Sequence, residues 1–185
     1  DDYDSEFRYS GKSIPSLASM DGLGKVIYFG SFSKSLMPSI RISYMVLPQE
    51  LLIRYEQAGF RHSSVSRIDQ HILARFMNNG DFERHLNRMR KVYRRKLDTV
   101  LELLKPHKEL VTVFGEQSGL HITLIVKNGM DEGQIKEKAK EMGILLHTLT
   151  DYSTAIEGYP PTIVLGFAGI PEANLKEAMN QLLDC

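Results

Sequence analysis

Lys34 is the residue on which chemistry in this chain can be centred. It stands in Gly30-Ser31-Phe32-Ser33-Lys34-Ser35, and Arg41 follows in Pro38-Ser39-Ile40-Arg41-Ile42. A lysine held at the end of a strand beside a second cation can lose its proton and attack a carbonyl. Small residues let a ligand approach the backbone closely, and serine hydroxyls with a guanidinium suit a phosphate. An amine nucleophile with a phosphate grip is therefore the chemistry these residue types allow. A strand-loop-strand turn carrying a solvated lysine is the plain structural alternative, since a short motif is a hypothesis until its context is known.

The elements that must position this stretch are legible on both sides of it. Lys25–Phe29 and Tyr44–Leu47 are apolar runs that read as buried strands, the second closed by Pro48, with the lysine stretch as a polar loop between them. Residues 8–24 carry Gly11, Pro15, Gly22 and Gly24 among serines and read as a loop with one helical turn. Pro48 sits at a helix start, with the helix running to Ala58 before Gly59. A second helix is expected from Ser64 to Asn79, stopped by Gly80. A long third one follows Asp81 as its N-cap and runs to Leu104. Its apolar face is Phe82, Leu86, Met89, Val92, Tyr93, Leu97, Val100, Leu101 and Leu104. Arg84, Arg88, Arg90, Arg94, Arg95 and Lys96 fill the other face, which reads as solvated rather than as a nucleic-acid surface.

Past Pro106 the pattern changes. Val111–Phe114 and His121–Val126 alternate as strands of a half-exposed sheet. A helix spans 130–142, opened by Asp131 and closed by Gly143. Strands at 144–149 and 162–167 and a helix at 171–183 complete a small α+β sandwich. Composition supports a packed core: 42% of the 185 residues are hydrophobic and 25% charged. Lys+Arg and Asp+Glu balance at 23 each, which leaves no overall basic charge for nucleic acid. One cysteine, Cys185, rules out an internal disulfide framework. No apolar run approaches the length of a membrane span, and a cytoplasmic home follows by default.

The opening Asp1-Asp2-Tyr3-Asp4-Ser5-Glu6-Phe7 is acidic and aromatic, and reads as the exit of a strand. Together with Ser31-Phe-Ser-Lys-Ser-Leu36, Arg41-Ile-Ser-Tyr-Met-Val-Leu-Pro48 and Phe82-Glu-Arg-His-Leu-Asn-Arg-Met-Arg-Lys91, it resembles the α/β, pyridoxal-phosphate-dependent transferases of the aspartate aminotransferase fold (fold type I). More closely, it resembles the effector domain of MocR-type (GabR-like) bacterial regulators of the GntR superfamily. The likeness covers nearly the whole chain. It implies the C-terminal part of a cofactor-binding large domain over 1–60, connector helices over 61–106 and a small α+β domain over 107–185. The absence of an initial methionine suits a piece of a larger domain. The other half of a cofactor site would then supply a phosphate-gripping helix start and a ring-stacking aromatic, and a partner subunit would complete it.

The resemblance also implies roles. Lys34 would form the Schiff base with pyridoxal 5'-phosphate. Asp1 would pair with the pyridine nitrogen, keeping the ring an electron sink. Tyr3 would hydrogen-bond the ring's 3-oxygen, and Ser31, Ser33 and Arg41 would hold the phosphate. His121, after Gly119-Leu120, is a candidate effector contact, with a satisfied strand-start histidine as the alternative.

Aminotransferases of this fold clamp the substrate carboxylate with a small-domain arginine, whose planar fork fits it bidentately. No arginine follows Arg95 here, and Val164-Leu165-Gly166-Phe167 stands where related enzymes read Arg-Leu-Gly-Phe. The effector-binding arginine of GabR-like regulators, near Asp151-Tyr152-Ser153, is missing too. Cofactor residues without the amino-acid clamp suit a sensor better than a catalyst. The expectation is a domain that binds pyridoxal phosphate and an amine or amino-acid effector, works as a homodimer and meets no membrane. DNA would be bound only through an N-terminal winged helix outside this chain. A working aminotransferase with its clamp supplied from elsewhere is the alternative, and an inert scaffold the third possibility.

Overall fold

The computed structural model describes residues 5–59, 64–153 and 158–184. The chain divides into two compact units, Asp1–Arg88 and Met89–Cys185.

The first unit is built on an antiparallel hairpin. Asp21 turns the chain into it: its carboxylate accepts the amide N–H groups of Leu23, Lys25 and Val26. The Val26 bond above all holds that carboxyl below the ordinary carboxylate range, against the opposing effect of burial. β1 (Tyr28–Ser31) pairs with β2 (Ser43–Val46) in a register that runs from Tyr28↔Val46 to Ser31↔Ser43. The link between them is not the irregular loop expected from its polarity. It contains a one-turn helix, α1 (Phe32–Ser35), and a 3-10 turn, Pro38–Ile40.

The two strands are also less buried than their apolar runs predict, with Phe29, Tyr44, Met45 and Val46 all exposed. A two-stranded ribbon has no interior of its own, and among the described residues no further strand pairs with it. α2 (Gln49–Gln57) follows Pro48, and α3 (Arg67–Asn78) is capped by Ser66, whose hydroxyl accepts the Asp69 N–H at 3.3 Å.

α4 (Asp81–Leu104) is the long helix. Asp81, expected as its N-cap, is instead its first residue, because Arg84 N–H already donates to the Gly80 carbonyl. Leu86, Leu97, Val100 and Leu104 are buried along one stripe. Much of the basic face is paired: Arg84 with Asp81, Arg94 with Asp98, and Arg95 with Glu172. Lys96 departs from that face. It is 7% exposed, and its Nζ donates to the Ala168 carbonyl at 2.7 Å.

In the second unit a four-stranded antiparallel sheet has the order β3-β4-β6-β5, from β3 (Val111–Phe114), β4 (His121–Val126), β5 (His147–Thr148) and β6 (Thr162–Gly166). β4 alternates strictly, with Ile122, Leu124 and Val126 buried. Ile163, Leu165 and Phe167 join them, and α5 (Glu132–Glu141) and α6 (Glu172–Leu183) contribute Ile135, Ala139, Leu175 and Met179 to the same core.

β5 is much shorter than the strand expected over 144–149. Ile144 N–H is spent on the Ala139 carbonyl, closing α5 behind Gly143 at φ 76°. At the other end Thr148 and Asp151 cap a 3-10 turn, Leu149–Asp151. No helix among the described residues is long and apolar enough to cross a membrane.

Candidate functional site

The hairpin gathers the lysine stretch. Beyond the last ladder pair, Ser31↔Ser43, Phe32 N–H donates to the Ile42 carbonyl at 3.0 Å, which brings the start of α1 beside the residue that follows Arg41. Ser31 caps α1: its hydroxyl oxygen accepts the Ser33 N–H at 3.2 Å, leaving the O–H as a donor for an anion. Ser31, Ser33, Lys34 and Arg41 therefore lie in one closed turn. Lys34 is exposed.

Two backbone features mark the turn as specialised. Arg41 is left-handed, at φ 49° and ψ 33°, and is the one non-glycine residue with positive φ among those described. That conformation costs a side-chain-bearing residue about 1–2 kcal/mol. Gly30 is the second feature: a Cβ there would run into the ring and hydroxyl of Tyr44. Its absence lets Tyr44 lie across β1, where its ring meets Tyr28 at 6.2 Å and Phe32 at 5.3 Å between centroids. A guanidinium, two serine hydroxyls and an amine on one turn are groups suited to a phosphate and a carbonyl.

The remaining candidates lie elsewhere. Asp1 and Tyr3 are outside the described residues. His121 opens β4 in the second unit, half-buried, opposite Gly166 in the ladder. Val164, which stands where related enzymes carry an arginine, is half-buried on β6 between Thr123 and His147. His147 Nδ1 stands 3.6 Å from Asp151, and Lys136 pairs with the same carboxylate. That lysine above all holds Asp151 below its usual range, helped by the Thr148 amide.

Phe82, expected on the apolar face of the long helix, and His85, for which the sequence pattern implies no role, lie in the first two turns of α4. Both face the lysine turn. Phe82 sets its ring edge-on to Phe32 at 5.8 Å, and His85 Nε2 lies 3.0 Å from the Ser35 carbonyl. Their three-residue spacing on a helix was the available signal.

No family model matches the chain. YdeL, an HTH-type transcriptional regulator of Bacillus subtilis, is 44% identical over 186 residues, covering 98% of this chain and 40% of the relative. The probable rhizopine catabolism regulatory protein MocR of Rhizobium meliloti is 30% identical, covering 98% and 37%. Among solved structures, kynurenine aminotransferase of Pyrococcus horikoshii superposes with a TM-score of 0.79 at 27% identity, over 97% of this chain and 45% of that one. The chain has the fold of the pyridoxal-phosphate-dependent transferases of fold type I. It belongs to the aminotransferase-like domain of MocR-type transcriptional regulators. It spans about two fifths of the length of these curated relatives.

Proposed function

We propose that this chain is part of the effector-sensing domain of a MocR-type regulator and that its cofactor is pyridoxal 5'-phosphate. The observation that carries the reading is the closed turn that holds Ser31, Ser33, Lys34 and the strained Arg41 together, in a chain of this family. When bound, the cofactor supplies an aldehyde for an amine and a ring that draws electrons from the atom attached to it. Lys34 provides the amine. Arg41 offers a planar fork to the phosphate, with Ser31 and Ser33 hydroxyls beside it. Asp1 and Tyr3 belong to the same site through the family resemblance. His121 is the effector-side candidate.

On this reading 1–60 belongs to the large cofactor domain, 61–106 to the connector and 107–185 to the small domain. The ligand is an amine or amino acid, the assembly a homodimer, and the compartment the cytoplasm. Promoter DNA is met through a winged helix outside this chain, so this chain alone does not retard it. Effector binding is transmitted by differential contacts in two states of the dimer.

The test is Lys34→Ala in the full-length protein. The visible absorbance of lysine-bound cofactor is expected to vanish while the fold persists, and a retained band refutes the assignment. The second reading, a working aminotransferase, is favoured by the likeness to kynurenine aminotransferase. Steady turnover of an amino acid with a keto acid by the full-length protein would establish it. The lack of any arginine after Arg95 supports the sensor.

A further inference from the structure

The turn that carries Lys34 has little stability of its own. α1 is four residues long, and the Leu36 N–H that closes it donates to the Phe32 carbonyl at 2.9 Å. A single helical turn is unfavourable in isolation, so the direction of its side chains is set by whatever holds its two ends. The hairpin holds the first end through the Phe32–Ile42 bond and the Ser31 cap.

The N-terminal part of α4 holds the second end. His85 Nε2 is 3.0 Å from the carbonyl oxygen of Ser35, the residue after the lysine and fifty positions away in sequence. A carbonyl only accepts, so Nε2 must carry the proton in this contact. Ser35 is 2% exposed, and its hydroxyl has no partner among the described residues. The residue is therefore wedged in place by packing and by its carbonyl, not by its side chain. Phe82, one turn before His85, packs edge-on to Phe32 at 5.8 Å. Phe76 meets both the Phe82 and the His85 rings at 6.5 Å, which fixes the imidazole in its slot.

We propose that His85 is a positioning residue for Lys34: its Nε2–H holds the Ser35 carbonyl and thereby sets the rotation of the turn that presents the amine. The proposal rests on the reading of Lys34 as the cofactor lysine.

The test uses the full-length protein with added pyridoxal phosphate, comparing wild type, His85→Gln and His85→Phe. Glutamine places an amide N–H close to where Nε2 was, while phenylalanine fills the slot without a donor. The readouts are the position of the lysine-dependent absorbance band, the rate at which cofactor is lost on dilution, and the thermal melt without cofactor. His85→Phe is expected to shift the band and to lose cofactor about tenfold faster, the factor corresponding to one ordinary hydrogen bond. His85→Gln is expected within about twofold of wild type. Equal behaviour of all three overturns the proposal, as does equal weakening in both variants that follows their melting temperatures.

Failure of the underlying reading looks different: wild type shows no band, or Lys34→Ala keeps it. Should His85→Phe not fold, nitrogen NMR of the wild-type His85 ring decides. A protonated Nε2 is expected, and an imidazole protonated at Nδ1 alone overturns the proposal.

Discussion

Glu132 joins three elements of the second unit that are far apart in sequence, and replacing it by glutamine tests how that unit is held. It is the first residue of α5, directly after Asp131, which caps the helix reciprocally with Gln134. Its Oε2 accepts the Thr150 N–H at 3.0 Å and its Oε1 the Thr162 N–H at 2.9 Å, tying α5 to the 3-10 turn and to β6. Burial, the largest single influence, opposes its charge. The Thr150 and Thr162 amides and the Thr150 and Thr148 side chains outweigh burial, so the carboxyl titrates below its ordinary value of 4.5.

Charge-assisted hydrogen bonds are worth about 1.5–3 kcal/mol and neutral ones about 0.5–1.5. In Glu132→Gln the amide oxygen keeps one N–H at the neutral value, a loss of about 1 kcal/mol. The amide nitrogen meets the other N–H donor to donor, which costs about 2 kcal/mol before solvent screening at this half-exposed site. The expected total is about 2 kcal/mol, or a fall of about 5 °C in Tm for a chain of this length.

The pH dependence follows from the lowered carboxyl. Its contribution is complete above 4.5 and is lost as pH falls through the lower folded value. Thermal melts followed by near-ultraviolet circular dichroism should show the full gap between wild type and Glu132→Gln near pH 7. The gap should narrow below about pH 4.5. A gap unchanged down to about pH 3.5, or no gap near neutrality, would refute the assignment of the stabilisation to the charged carboxylate.

Two further substitutions probe the lysine turn. Gly30→Ala drives a Cβ into the Tyr44 ring and should destabilise the protein by about 1–3 kcal/mol. Adding Tyr44→Ser should restore part of that loss in a urea titration, and no restoration would show that the ring contact is not the cause. Arg41→Gly relieves the left-handed strain, so the cofactor-free protein should melt unchanged or slightly higher. The rise in Tm on adding pyridoxal phosphate should shrink. An undiminished rise would remove Arg41 from the phosphate grip.

The sequence by itself determined those features whose causes lie within one turn of chain. The Asp131-x-x-Gln134 box opens α5, Gly143 closes it, and the alternation of Ile122, Leu124 and Val126 states the buried face of β4. The order of the serines, lysine and arginine at 31–41 put them on the short link between two strands. Each is a local signal, a cap, a period or a motif, and so is written in neighbouring letters.

What only the tertiary structure decided depends on partners distant in sequence. The exposure of β1 and β2 follows from what packs beside them, not from their apolar letters. The short β5 results from a helix end that takes the Ile144 N–H on one side and a 3-10 turn that begins at Leu149 on the other. Glu132 reaches amides eighteen and thirty residues away, and His85 a carbonyl fifty residues away. A hydrogen bond of that kind exists only once packing has brought donor and acceptor within about 3 Å. No local propensity encodes it.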